Sequence, residues 1–179
     1  TIIPRGMAGG YTMMLPKEEK IAIATKSELL ASITGLLGGR VSEELYFGEI
    51  STGASDDFSK ATKIARSMVT EYGMSDLGPV QLEHKEEGVF LGRDYNKTRN
   101  FSDAVALEID EEVRKIVNEC YKKATKILKE NKDLVMLLSD TLIEKETITK
   151  EEIEELVKTG KLSSKETKDT KKEETKDEK

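Results

Sequence analysis

Few residues in this 179-residue sequence are spaced to do chemistry. The stretch Ser51-Thr52-Gly53-Ala54-Ser55-Asp56-Asp57-Phe58 sets two carboxylates side by side in what should be the first turn of a helix. Free backbone N–H groups and the helix dipole favour ionised acids there. Asp is also favoured at helix starts simply for its bonds to the backbone. A carboxylate held ionised beside a tight Thr-Gly turn is equally a good hard ligand for a divalent metal. Spacing alone does not choose between these roles. His84, the only histidine, lies in Glu83-His84-Lys85-Glu86-Glu87 with no nucleophile motif around it, and reads as an ordinary exposed side chain. Cys120, the only cysteine, falls on an apolar helical seam and reads as core packing, since buried thiols are inert.

Several chemistries are absent from the sequence. There is no G-x-x-x-x-G-K-[ST] phosphate loop, no G-x-G-x-x-G fingerprint and no D-x-D-x-D-G calcium loop. The net charge is −6, with Lys and Arg dispersed among acids, so the footprint of a nucleic-acid binder is missing. A single cysteine forbids an internal disulfide and fits a reducing compartment. No apolar run approaches the ~20 residues that cross a bilayer, so any membrane anchor is expected outside this segment.

The elements that must position the acids are helical. Charged residues make up 36% of the sequence and aromatics 5%, a balance suited to amphipathic helices. Thr1–Ile3 and Gly10–Leu15 read as two short extended pieces around a Gly-rich turn. Thr25 and Glu28 are spaced as a capping box ahead of Leu29, Leu30, Ile33, Leu36, Leu37, Val41 and Leu45 at helical period. Gly38-Gly39 either breaks that helix in two or admits a close neighbour. Ser55 is the expected N-cap of a helix with Phe58, Ala61, Ile64, Ala65, Met68, Val69 and Tyr72 on one face, closed by Gly73. Ser102 opens a long helix with the seam Val105, Ile109, Val113, Ile116, Cys120, Ala124 and Ile127. Leu134, Leu137, Leu138 and Leu142 mark another, and Thr149 with Glu152 caps a last one. Residues 163–179 hold no apolar side chain and should be disordered. The expectation is a mainly α helical bundle over residues 1–160, with a small N-terminal β element and a charged tail over 161–179.

Several separated motifs, in order, resemble FtsH-family proteases. They are Thr1–Gly6, Gly10-Tyr11-Thr12, Leu15-Pro16, Leu36–Glu44 with its Gly-Gly-Arg-x-x-Glu-Glu run, Phe47-Gly48, Ser51–Asp57, Ala65–Thr70, Gly73–Ser75, Leu77–Pro79 and Val89–Arg93. The likeness spans about 158 residues and follows the segment after the family's zinc-binding helix. It implies a zinc ion held by two histidines of an H-E-x-x-H helix and one downstream aspartate, with the helix glutamate activating the metal-bound water. That aspartate falls on Asp57. Asp56 stands where the family often has Asn and so looks like a neighbour. Glu43 is implied as an acid orienting a ligand histidine, or else a solvated helix glutamate. The piece holding Tyr11, Thr12, Met13 and Met14 would pair with substrate as an edge strand.

The sequence departs from the family in containing no H-E-x-x-H, and one histidine cannot supply two ligands. A catalytic zinc site needs about three protein ligands. The segment opens on Thr1 and is expected to be cut from a longer protein, without a catalytic residue, stoichiometric zinc or peptidase activity of its own. A smaller departure is the Met74–Pro79 loop, one residue shorter than is usual in the family. The resemblance implies an intact enzyme with an upstream membrane anchor and an ATPase module using ATP and Mg²⁺. It would form a homohexamer that degrades unfolded, short-lived and membrane proteins, its peptidase part facing the cytoplasm. A non-catalytic helical interaction module, in which Asp56 and Asp57 only start a helix, fits composition and periodicity equally well.

Overall fold

The computed structural model describes residues 1–3, 23–83 and 101–161. These fall into two compact units, one of residues 23–83 and 101–131, the other of residues 1–3 and 132–161. The described residues are mainly helical, with no strand among them. Gly10–Leu15, His84, Val89–Leu91 and the charged tail lie outside the described residues.

The first unit is three helices around one core. Helix α1, Lys26–Ser42, starts at the capping box read from sequence. Thr25 accepts from the Glu28 amide at 3.3 Å, and Glu28 accepts from the Thr25 amide at 2.9 Å. The helix runs unbroken through Gly38 and Gly39, and a Cβ at either would meet no described atom within 4 Å. The break expected at this glycine pair is not found. The apolar period on both sides keeps the helix intact despite a cost of about 1 kcal/mol per glycine. Val41 stays buried, but the pattern does not continue as α-helix to Leu45. Glu43–Phe47 widen into a π-helical turn closed by Gly48 at φ 71°.

Helix α2, Ser55–Thr70, begins one residue earlier than its sequence suggests. The N-cap is Ala54, with no side-chain cap, and Ser55 is the first helical residue rather than the cap. The Ser55 amide is instead satisfied by Thr52 O at 3.1 Å, so the preceding turn does the work of a capping side chain. At the far end Gly73 takes φ 59°, and a Cβ there would lie 2.9 Å from Pro79 Cα. Helix α3, Asp103–Glu130, starts at Ser102, whose hydroxyl accepts from Val105 N–H at 3.4 Å.

Ile33 and Leu37 of α1, Ala61, Ala65, Met68 and Val69 of α2, and Ile109, Val113, Ile116 and Cys120 of α3 form one buried cluster. Ala124 extends the α3 seam, while Ile127 departs from it and is exposed. Two buried threonines, Thr34 and Thr70, donate to the carbonyls of Leu30 and Arg66 one turn back, at 2.7 and 3.0 Å. Their hydroxyls therefore enter the core satisfied.

The second unit holds α4, Lys132–Lys145, and α5, Lys150–Thr159. The Thr149–Glu152 capping box forms as read. Ile2 N–H donates to Glu146 O at 2.9 Å, so the start of the chain is tied to the end of α4. No residue of α4 is buried and only Leu156 of α5 is.

Candidate metal centre

Asp56 and Asp57 both lie in the first turn of α2, as their spacing requires. The structure separates them. Lys60, one turn along, pairs with Asp56 at 2.7 Å, and this hydrogen bond raises the lysine pKa. Asp57 is half-buried, and among the described residues no hydrogen bond or ion pair engages it. A partly desolvated, unpaired carboxylate at a helix N-terminus is a hard oxygen donor suited to a divalent cation.

The turn that launches α2 has no strand or helix to satisfy its backbone, so side chains from the end of α1 and the π turn after it do so. Arg40 Nη2 donates to Ser51 O at 2.7 Å. Glu43 accepts from Ser51 N–H at 3.1 Å on one carboxylate oxygen and from the Ser51 hydroxyl on the other. The Ser51 oxygen in turn accepts from Gly53 N–H at 3.1 Å. Arg40 Nε sits 3.5 Å from Glu43, an ion pair without hydrogen-bond geometry. The Arg40 guanidinium also lies over the Phe58 ring, 5.2 Å from its centre. Arg40 and Glu43 thus hold the chain on both sides of Asp57, at Ser51 before it and at Phe58 after it. The two Ser51 hydrogen bonds hold the Glu43 carboxyl below its ordinary range.

The π turn carrying Glu43 is itself fixed to α3. Tyr121 donates its hydroxyl to Glu44, and Tyr46 OH donates to Leu128 O at 3.3 Å. Burial, and then the Glu44 carboxylate, push the Tyr121 phenol up to about 12. A cleft of about 670 Å³ opens here between Arg40, Glu44, Ile50, Phe58 and Tyr121.

Of the residues singled out from sequence, the structure brings the segment of Asp57 together with Glu43, through Ser51. Both Glu43 oxygens are taken up by that serine. Cys120 is core, 3.6 Å from Leu30 O, and burial pushes its thiol up. Tyr11, Thr12, Met13 and Met14 lie outside the described residues, as does His84. Sequence reasoning passed over Arg40 and Ser51. The available signal was an Arg and a Glu three residues apart at a helix end, followed by a Ser-Thr-Gly turn with bare backbone groups.

Among the described residues no three His, Cys, Asp or Glu side chains converge on one point. For zinc, the donor chemistry of Asp57 fits and the number of donors does not, because one carboxylate falls short of about three protein ligands.

The sequence pattern of Peptidase family M41 matches residues 1–156. The chain belongs to this family. Among curated M41-like relatives, the ATP-dependent zinc metalloprotease FtsH of Acholeplasma laidlawii is 61% identical over 162 residues, 90% of this chain and 25% of the relative. The protein of the same name from Bacillus subtilis is 54% identical over 164 residues, 90% of this chain and 26% of the relative. That of Mycoplasma mobile is 53% identical over 170 residues, 94% of this chain and 24% of the relative. The M41 chain spans about a quarter of the length of the curated relatives it matches.

Proposed function

We propose that this chain contributes to the peptidase site of an ATP-dependent zinc metalloendopeptidase, with Asp57 supplying one protein ligand to the zinc. The observation that carries this reading is the Asp57 carboxylate in the first turn of α2, without a hydrogen bond or ion pair among the described residues, beside an Asp56 already paired with Lys60, in an M41 chain. The remaining ligands, two histidines, and the glutamate that serves as general base come from an H-E-x-x-H helix outside these 179 residues. Bound zinc supplies Lewis acidity and lowers the pKa of water. The part played by this chain is to fix one ligand, through a loop that Arg40 and Glu43 hold. By itself the chain binds no stoichiometric zinc and hydrolyses no peptide bond.

In this reading the intact protein couples proteolysis to an ATPase module that uses ATP and Mg²⁺, and works as a homohexamer anchored in the inner or plasma membrane. Its peptidase part faces the cytoplasm, and its substrates are unfolded, short-lived and membrane proteins. Tyr11, Thr12, Met13 and Met14 pair with substrate backbone, so Thr12→Pro raises KM for peptides, and unchanged kinetics count against that role.

The test compares Asp57→Ala with Asp56→Ala in the intact protease, by metal analysis and peptide hydrolysis. Asp57→Ala is expected to lower bound zinc to trace levels and turnover by about 100-fold or more. Asp56→Ala keeps both within a few-fold. Full zinc and full turnover in Asp57→Ala overturn the assignment.

A further inference from the structure

Two sequence motifs that are separate along the chain meet at one residue, Ser51. Every polar group of Ser51 is engaged. Its carbonyl takes Arg40 Nη2 at 2.7 Å, its N–H goes to Glu43 at 3.1 Å, its hydroxyl goes to the other Glu43 oxygen, and that hydroxyl oxygen receives Gly53 N–H at 3.1 Å. Ser51 itself is exposed, so these bonds fill no core. What they determine is the path of Ser51–Ala54 into α2.

We propose that Glu43 is a positioning residue for Asp57, acting through Ser51 and the Ser51–Ala54 turn rather than by direct contact with the metal. This rests on the reading of Asp57 as a zinc ligand. The lever arm is short. Thr52 O accepts from Ser55 N–H at 3.1 Å and Ala54 O from Phe58 N–H at 3.0 Å, so a shift of Ser51 passes directly into the first turn of α2. Arg40 closes the fork from the other side, on the ring of Phe58, the residue after Asp57. Glu43 is suited to the task because it sits in the π turn, which Tyr121 and Tyr46 tie to α3. Single π turns are frequent at functional sites. The fork therefore refers the position of the metal ligand to α1 and α3, beyond the reach of α2 itself. A ligand located this way loses less conformational freedom when the metal binds, which raises affinity without a new contact.

Gly53 provides an independent lever on the same device. A Cβ there would lie 3.2 Å from the Ser51 oxygen and 3.9 Å from Glu43 Oε1, so Gly53→Ala presses on the fork without removing a donor or acceptor.

The experiment uses the intact protease and its Glu43→Ala, Ser51→Ala, Ser51→Thr and Asp57→Ala variants. Zinc affinity is read by competition with a chromogenic chelator. Amide hydrogen exchange at Ser51 and Gly53 is read in metal-stripped protein, and unfolding midpoints control for folding. Glu43→Ala and Ser51→Ala are expected to weaken zinc binding about 10- to 100-fold and to speed exchange at both amides, with the unfolding midpoint little changed. Ser51→Thr keeps the hydroxyl and restores both readouts. The double variant Glu43→Ala with Ser51→Ala is expected to lose no more than the worse single one, since both break one link; additive losses would show that the two do not act through one link and overturn the role.

If Glu43→Ala and Ser51→Ala bind zinc within twofold of the parent while Asp57→Ala does not bind it, the positioning role is wrong and the ligand assignment stands. If Asp57→Ala binds zinc normally, the ligand assignment falls and this role falls with it. Should Glu43→Ala unfold, Ser51→Ala, on an exposed turn, decides the matter alone.

Discussion

Glu43 shows how much a single side chain depends on what the fold sets opposite it. On a helix end it could have been a solvated acid. Here its two oxygens are claimed by the amide and hydroxyl of one serine, and those bonds hold its pKa below the ordinary 4.5. Because the folded value is lowered, its contribution to stability is complete above the unfolded pKa and is lost as pH falls through the folded one. The stability difference between the parent and Glu43→Gln, small for a solvent-accessible group, is therefore expected to hold steady from neutral pH down to about 5 and to shrink below about 4. Denaturant titrations across that range check it; a difference that instead grew on acidification would contradict the hydrogen-bonded, ionised state. Asp56 and Asp57 teach the same lesson. They are chemically alike and adjacent, yet Lys60 forms its ion pair with the first.

At the scale of the elements, caps and closures carry the local specificity. The Thr149–Glu152 box orders the start of α5, a helix that buries only Leu156 and so has little packing to fall back on. Thr149→Ala should destabilise α5 by about 1 kcal/mol. Loss of helical hydrogen-exchange protection over residues 150–159, with α1–α3 unaffected, is the measurement. Gly73 is constrained twice, by φ 59° and by the Pro79 backbone 2.9 Å from where a Cβ would go. Gly73→Ala should cost about 1–3 kcal/mol, read as a lowered denaturation midpoint; an unchanged midpoint would mean that the 73–79 turn yields freely. The π turn at Glu43–Phe47 is the element no periodicity announced. Leu45 continues the apolar pattern, and the widened turn is tied to α3 by two tyrosines, Tyr46 from within the turn and Tyr121 from α3.

At the scale of the first unit, α1, α2 and α3 share one core, and α2 can hold Asp57 only if that core is sound. Ile109 is fully buried at its centre. Ile109→Ala should destabilise the unit by about 2–5 kcal/mol, measured as a drop in the unfolding midpoint. Zinc affinity in the intact protease should fall along with stability. Ser51→Ala should lower affinity with stability kept, which separates the two routes to the same loss. In the second unit, Met136, Ile143, Ile153 and Val157 are exposed. Among the described residues no helix is long and apolar enough to cross a membrane.

Local chemistry was legible in the sequence. The two capping boxes, the α3 seam from Ile109 to Ala124, the core faces of α1 and α2, and Asp57 in a first helical turn all follow from residue type at fixed spacing. Such patterns act within a turn or two of the chain. The family likeness was legible too, because it also lies in ordered short motifs. Three features did not follow from periodicity. Gly38-Gly39 neither breaks α1 nor admits a described neighbour, α2 starts on a backbone turn instead of a serine cap, and Glu43 spends both oxygens on Ser51. Periodicity says which face is apolar; it cannot say which polar groups will face one another once three helices have closed. Only the tertiary structure, by bringing the end of α1 against the turn before α2 and pinning it to α3, decided what holds the candidate ligand in place.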